Sequence, residues 1–426
     1  MPVTLALAGA GLRGLTYARH AVATGRARVV AIAEPDPHRR ESAAAEFGVA
    51  PVHAYPGWAE LAAAGRLADA AVVATQDRMH RDPAVRLADL GYHLLLEKPM
   101  APTEEEASAI AAAATRNGVI LAVCHVLRYT AYTRMVKGLL DDGRIGRLVS
   151  FDHLEPVGWW HQAHSFVRGN WRHAGTSGPM LLTKSCHDLD WLVYVTGQLP
   201  SRISSFGSLT HFRASERPEG AAGRCLDCAV EPACPYSAKR RYFAALADPD
   251  EHFWPLGAIT SEYTAEALTE ALRTGPYGRC VYACDNDVVD HQVVAMEFPG
   301  GATGSFTMSA FTPMEQRRTR LMGTHGYLEG DGRTVRHVDF VTGEDRRHDS
   351  AVAGGPSAAD GHGGGDEALT GAFLDAVAAG DPALITSGAA QSLATHRVVW
   401  AAERAREGGE VVHLRPDGTV VTPAGR

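Results

Sequence analysis

The chain has 426 residues, room for two or three domains at about 100–200 residues each and for more than one buried core. Hydrophobic residues make up 45% and charged residues 21%, a balance that excludes wholesale disorder and fibrous repeats. Lys plus Arg is 41 against 49 Asp plus Glu, and a net charge of -8 gives no global positive field to collect nucleic acid or anionic lipid.

The opening MPVTLALAGAGLRG has one short apolar run, with neither a basic n-region nor a small-residue cleavage site. No apolar stretch approaches the ~18 residues of a bilayer span, and the lipidation patterns are missing. These features predict a cytoplasmic enzyme. In chain order, a strand at 3–9 meets a glycine turn and a helix at 15–25, and a strand at 29–34 follows. Helices at 38–46 and 57–65, a strand at 70–75, a helix at 82–90, a strand at 93–99, a helix at 103–117 and a strand at 119–125 continue the alternation. That rhythm predicts a doubly wound parallel sheet, an α/β Rossmann domain over 1–126. Beyond it the texture changes: a helix at 131–141, strands at 147–155 and 201–212, and a patterned helix over 180–196. Residues 213–284, rich in Gly, Pro, Arg and Cys, read as an insertion. Strands at HQVVAMEF, TGSFTMSAF, RRTRLMGTHGYLEG and RTVRHVDF then predict an open, mainly antiparallel or mixed sheet. A Gly/Ala/Ser-rich loop over 351–365 and helices at 366–379 and 387–407 complete a second α/β domain over 127–426. Asp366, after three glycines, reads as a helix cap.

GAGLRG at 9–14 matches G-x-G-x-x-G: Gly9 for the tight turn, Gly11 for close approach of a pyrophosphate, Gly14 for helix-to-strand packing. Glu34 lies 20 residues after Gly14, at the end of the second predicted strand, where a carboxylate accepts hydrogen bonds from an adenosine ribose. A carboxylate there repels a 2'-phosphate and favours NAD. Arg39 and Arg40 nearby keep NADP open, and the motif alone does not separate either from FAD.

Together with GAGLRG, the segments ATQDRMH at 74–80, GYHLLLEKP at 91–99, a strand leading to Arg128, NWRHAGTSGPMLLTKSCHDLDWLVYVTG at 170–197 and GTHGYLEGD at 323–331 resemble the Gfo/Idh/MocA oxidoreductases. The resemblance covers almost the whole chain. It implies a Rossmann domain joined to an α/β domain whose open sheet often makes a homodimer or homotetramer, with a sugar, inositol or related polyol held beside the nicotinamide. It places Leu12, Arg13, Thr75, Gln76, His80 and Glu97 at the cofactor and Lys98 at the site of hydride transfer. A lysine ending a parallel strand also sits where such sheets bind ligands, and its ammonium could orient a hydroxyl or stabilise an alkoxide. His187 matches the family's helix histidine, as a general acid or base, while Thr183 stands where the family often has Asp. Lys184, Asp188 and Asp190 are the candidates to compensate, but helical geometry turns Lys184 and Asp188 about 100° from Thr183 and His187, so neither of these two is a simple replacement.

Residues 153–172, HLEPVGWWHQAHSFVRGNWR, gather His, Arg, Asn and three Trp into one segment. Aromatic faces with interspersed donors suit polyhydroxylated rings, and Trp160, His161, His164, Arg168, Asn170, Trp171 and Arg172 are the candidate contacts, with Arg128, Thr183 and Lys184. Within 213–284, Cys225, Cys228, Cys234 and Cys280, or Cys284 in place of Cys280, offer four thiolates for a structural zinc. Free or disulfide-linked thiols and an iron–sulfur cluster are the competing readings. In DNDVVDHQ at 285–292, alternation sends Asp290 and His291 to opposite faces, one toward the cleft or both along a charged strand edge.

The expected function is an NAD(P)-dependent oxidoreductase acting on a secondary alcohol or ketone of a sugar-like substrate. A redox-neutral enzyme that oxidises, eliminates and re-reduces its substrate, and a non-catalytic NAD-binding sensor, are the alternatives.

Overall fold

Parallel strands covered on both faces need apolar residues at successive positions. VTLALA, AAVV and HLLL supply them, and the second of these is buried throughout. The computed structural model describes residues 2–350 and 362–421. Strands β1 (Val3–Ala8), β2 (Ala27–Ala33), β3 (Ala54–Tyr55), β4 (Ala70–Val73), β5 (His93–Leu96) and β6 (Leu121–Val123) form an all-parallel sheet in the order β3-β2-β1-β4-β5-β6. The order of the connections reverses between the parallel strands β1 and β4, and the crevice beyond their carboxyl ends is where such sheets take ligands.

The second sheet has nine strands. They are β7 (Leu148–Pro156), β8 (Arg202–Ser208), β9 (His291–Glu297), β10 (Thr303–Ser309), β11 (Arg318–Gly323), β12 (Gly326–Gly330), β13 (Thr334–Asp339), β14 (Asp345–Asp349) and β15 (Val412–His413). Their order is β14-β13-β12-β11-β7-β10-β9-β8-β15, with β7 and β10 parallel and every other pair antiparallel. The sheet is mixed, as expected. One face packs on the helices Cys186–Thr196 and Ala389–Gly408, while Val149, Phe206 and Val293 are exposed. The short strands β3, β14 and β15 carry no alternation strong enough to read from sequence, and the strand expected over 201–212 stops at Ser208.

Three further expectations change. The helix expected over 180–196 is two helices, Met180–Thr183 and Cys186–Thr196, separated by a turn at Lys184 and Ser185. Asp366 is not a cap: Gly364, with φ 80°, holds that position, and the helix runs over Gly365–Ala379. The loop expected over 351–365 lies outside the described residues up to 361. The insertion has its own small cores, one around the helices Ala238–Leu246 and Ala265–Thr274.

The helix Gly365–Ala379 lies beyond the span read as the second sheet, yet it packs Leu369, Phe373, Leu374 and Ala376 into the same core as Leu5, Tyr17 and Val126. The helix Ala389–Gly408 bridges in the same way, with Val398 and Val399 in the second core and Leu393 and Trp400 against the first. Asp190 pins this junction. Its carboxylate accepts Arg128 Nε at 2.7 Å, Arg128 Nη2 at 2.6 Å and Thr395 Oγ1 at 2.8 Å, and all three residues are buried. Burial opposes the charge on Asp190, but Arg128 outweighs it and holds the carboxyl below its usual range. Because that pKa is lower folded than unfolded, the stabilisation is complete above about pH 4 and fades as pH falls through the folded value. Asp190→Ala is expected to lower stability by about 3–5 kcal/mol, since it strands a buried guanidinium; the midpoint of denaturant unfolding measures it.

Candidate active site

The glycines of residues 9–14 take three separate roles. Gly9 has φ +97°, and a Cβ there would lie 2.4 Å from the Ala74 carbonyl oxygen. At Gly14 a Cβ would lie 2.0 Å from the Gly9 oxygen, so helix and strand meet too closely for a side chain. At Gly11 a Cβ would meet nothing within 4 Å. Gly11 is the N-cap of the helix Leu12–Ala23, whose first turn has no side-chain cap and no acidic residue. Open space at the uncapped N-terminus of a twelve-residue helix suits a pyrophosphate.

Glu34 is buried and accepts the Ala10 N–H at 2.8 Å and the Asp36 N–H at 3.1 Å, with Arg39 Nη2 at 3.2 Å. Arg40 turns to the Glu34 and Pro35 carbonyls. Thr75 and Gln76 follow β4, and the Thr75 hydroxyl donates to the Met79 carbonyl. His80 is buried with Nδ1 on the Pro99 carbonyl and Nε2 on the Thr75 carbonyl, so its ring pins two turns and has no nitrogen left for a cofactor. Glu97 accepts Arg13 Nε at 2.7 Å and the Tyr17 hydroxyl at 3.2 Å.

Lys98 follows β5, and its Nζ reaches across the cleft to the Thr183 carbonyl at 2.8 Å. That carbonyl ends the short helix Met180–Thr183, where the last carbonyls of a helix lack internal partners. The break explains why Thr183 matters through its backbone: its hydroxyl only approaches the Pro179 carbonyl, at 3.4 Å. His187 opens the next helix, buried, with Nδ1 unpartnered among the described residues. Burial, reinforced by Lys98 and by neighbouring His362, pushes its pKa well below the ordinary value, so the ring is neutral near pH 7. His362 stands 5.7 Å from it, centroid to centroid, with Nδ1 3.1 Å from Asp366 Oδ2. Asp366 in turn accepts Arg13 Nη2 at 2.5 Å and Nη1 at 3.2 Å. His362 and Arg317 were not legible as site residues, and Asp366 was legible only as a cap.

Several proposed substrate contacts are otherwise engaged. Arg128 is buried against Asp190 and the Thr386 carbonyl, beneath the site rather than in it. Arg168 is buried with Nε on the Arg279 carbonyl and Nη2 on the Tyr236 carbonyl, anchoring the insertion. His164 accepts or donates to the Tyr242 hydroxyl at 2.9 Å and stacks on Tyr277, and burial lowers its pKa to about 3. Lys184 pairs with Glu155 at 2.8 Å, Arg172 with Asp285 at 3.1 Å, and Trp160 lies under Arg241 at 3.9 Å to the ring centroid. His161 remains at the cleft, where Lys98 and Lys184 add to burial in depressing its pKa. Trp171 closes the opposite wall with Nε1 2.7 Å from Asp77 Oδ2, and Asn170 is exposed beside it. Asp290 is buried and binds the Thr210 and His211 N–H groups, so it is structural, while His291 points outward.

The zinc expectation is not supported. Cys225, Cys228, Cys234 and Cys280 line one cavity of about 20 Å³, but a guanidinium occupies the cation's place: Arg168 Nη2 is 3.5 Å from Cys225 Sγ. Cys228 Sγ accepts the Ala222 N–H, and Cys284 donates to the Cys280 carbonyl. Among the described residues no group of three or more His, Cys, Asp or Glu is placed to hold a metal, and all seven cysteines are free.

Comparison with known proteins agrees with this geometry. Residues 3–125 match the family description "Oxidoreductase family, NAD-binding Rossmann fold", and residues 137–414 match "Oxidoreductase family, C-terminal alpha/beta domain". The chain belongs to the Gfo/Idh/MocA oxidoreductase family. Among its relatives, the Bacillus subtilis protein YteT is 27% identical over 267 residues, 62% of this chain and 60% of YteT. Inositol 2-dehydrogenase 2 of Saccharopolyspora erythraea is 30% identical over 201 residues, 46% of this chain and 55% of that protein. The chain thus matches under two thirds of the length of either. An inositol dehydrogenase homolog from Azotobacter vinelandii, solved with NAD+, shares the fold with a TM-score of 0.68 at 18% identity, covering 97% of each chain. The Gly9–Gly14 turn and Glu34, joined by the Ala10 N–H to Glu34 bond, both lie within the stretch that matches the NAD-binding description. No helix among the described residues is long and apolar enough to cross a membrane.

Glu34→Gln removes the charge and keeps one acceptor oxygen, enough for one of the two loop N–H groups that Glu34 holds on separate oxygens. It is expected to weaken NAD binding about fivefold to tenfold, the loss of about one charged hydrogen bond, and to narrow the preference against NADP, with Arg39 released; titration of each nucleotide against protein fluorescence reads both.

Proposed function

We propose that the protein is an NAD-dependent oxidoreductase that moves a hydride between nicotinamide and a secondary alcohol or ketone of a sugar, inositol or related polyol. The observation that carries the reading is the convergence of Lys98 Nζ and the His187 ring on one cleft, at the same carboxyl edge as the open N-terminus at Gly11. The dehydrogenase activity of its inositol relative supports the same reading.

The fit to a dinucleotide rests on the Gly11 opening and on Glu34, whose carboxylate is held at the end of β2 by two loop N–H groups. Bound there, the nicotinamide supplies or accepts the hydride. Everything else falls to side chains of this chain. Lys98 has three N–H donors and spends one on Thr183, leaving two for a substrate oxygen. Its positive charge favours alkoxide character on that oxygen as the carbon loses hydride. His187, neutral through burial, shares a hydrogen bond with the same hydroxyl and helps to orient it. His161 and Trp171 are the candidate contacts for the remaining hydroxyls, and the Trp171–Asp77 bond ties this segment to the turn after β4. Glu34 favours NAD over NADP by charge.

The test is mass analysis of ligand released on denaturing the purified protein, with NADH absorbance followed as sugars, inositols and uronic acids are added. Released NAD(H) and a substrate-dependent absorbance change are expected. Bound NAD(H) with substrate consumed and no net change would favour the redox-neutral alternative. Lys98→Met is expected to lower kcat by about 10³-fold or more while NAD affinity changes less than threefold, as befits loss of charge stabilisation in the transition state; full activity in that variant would remove Lys98 from the chemistry.

A further inference from the structure

The family's carboxylate partner for the helix histidine is absent, and the structure offers nothing at Thr183 to replace it. His187 Nδ1 is buried with no partner among the described residues. A carboxylate–imidazole pair does exist in the same cleft, on the other side of that ring. Asp366 Oδ2 holds His362 Nδ1 at 3.1 Å, and the His362 ring lies 5.7 Å from His187.

We propose that His362, oriented by Asp366, is the residue that takes the proton from the reacting hydroxyl. The inference rests on the dehydrogenase reading above and names the acceptor of that proton. With Nδ1 committed to Asp366, the neutral ring carries its proton there and presents Nε2 as a lone-pair acceptor. In the oxidation direction the hydroxyl O–H bond breaks and its proton passes to Nε2. The carbon-bound hydrogen leaves with its electron pair to NAD+, and the O–H electron pair becomes the second bond of the carbonyl. Reduction runs the same transfers backwards.

The backbone is arranged to place this ring. His362 is the one non-glycine residue among those described with positive φ, 47°, and Gly363 and Gly364 continue the left-handed course at 63° and 80° before the helix begins at Gly365. That turn swings the imidazole onto His187 instead of letting it trail along the helix. The charged and titratable groups facing His362 are Asp366 in the first turn of the helix that follows, Arg13 from the helix Leu12–Ala23, Arg317 from before β11 and the His187 ring. Burial lowers the proton affinity of His362, and Asp366 raises it, which is support that His187 lacks. Asp366 keeps its charge: burial opposes ionisation, but His362 and Arg13 outweigh it and hold the carboxyl well below the usual range.

His362→Asn is the principal test, since Asn accepts a left-handed backbone and has no titratable nitrogen. Expected is a fall in kcat/KM for the oxidised polyol of about 10²–10³-fold, loss of the acidic limb of its pH profile, and an NAD dissociation constant within twofold of wild type. Asp366→Asn is expected to move that limb to lower pH, because the carboxylate that raises the proton affinity of His362 is gone. A His362→Asn enzyme with the wild-type pH profile and rate, beside an inactive Lys98→Met enzyme, would overturn the inference and leave the dehydrogenase reading intact. A wild-type protein that turns over no polyol with NAD would overturn both. Should the variant misfold, histidine-labelled wild-type protein gives the answer by NMR in the presence of NAD. The His362 signals are expected to shift on saturation with the polyol substrate, and signals that do not move would overturn the assignment.

Discussion

At the candidate site, an ammonium-to-carbonyl hydrogen bond runs from one half of the molecule to the other. Lys98 ends a parallel strand of one sheet, and Thr183 ends a helix that packs against the other. The bond is possible because that helix stops after four residues, leaving a carbonyl without an internal partner. If the helix continued unbroken to Thr196, the Thr183 oxygen would belong to the His187 N–H, one turn later. The break therefore serves twice: it frees an acceptor for Lys98, and it lets a new helix begin with His187 in its first turn.

The residues after the break spread their charges in three directions. His187 faces the cleft, Asp188 takes Arg317 at 2.6 Å and His153 at 3.3 Å, and Asp190 takes Arg128. Lys184 extends the second of these through Glu155, which also lies 3.0 Å from Arg317. Buried charges arranged this way cost more when one partner is lost than they contribute as a pair. Their value here is positional: a helix tethered through Asp188 and Asp190 to two different segments has little freedom to rotate His187 away from Lys98.

Five of the six strands of the first sheet were readable to within about two or three residues because each is a short apolar run bounded by a turn, while β3, with two residues, was missed; GAGLRG with Glu34 marks the ligand edge. The mixed sheet was readable in type but not at its ends, where β14 is Asp345–Asp349 and all five of its residues are charged or histidine, without apolar alternation. Lys98 and His187 came from motif and stayed in the cleft. Arg128, His164 and Arg168 did not, because residue type announces a polar role but not its partner: each met a carboxylate, hydroxyl or carbonyl supplied by chain 62 to 111 residues away. The cysteines failed similarly, since spacing counts thiols and does not reveal an arginine among them. His362 and Asp366 were hidden by three glycines whose obvious reading is a loop ending in a cap.

The packing of Gly365–Ala379 into the first core sets the order in which the molecule can be finished during synthesis. Val123 ends the last of the parallel strands, yet Leu369, Phe373 and Leu374, buried beside Leu5 and Tyr17, emerge some 240 residues later. At about 5–20 residues per second, that is an interval on the order of tens of seconds. Throughout it the nascent nucleotide-binding sheet has an unfinished apolar wall, and Arg13 waits for Asp366. The amino-terminal half is first to leave the ribosome, yet it closes only once the chain is nearly complete.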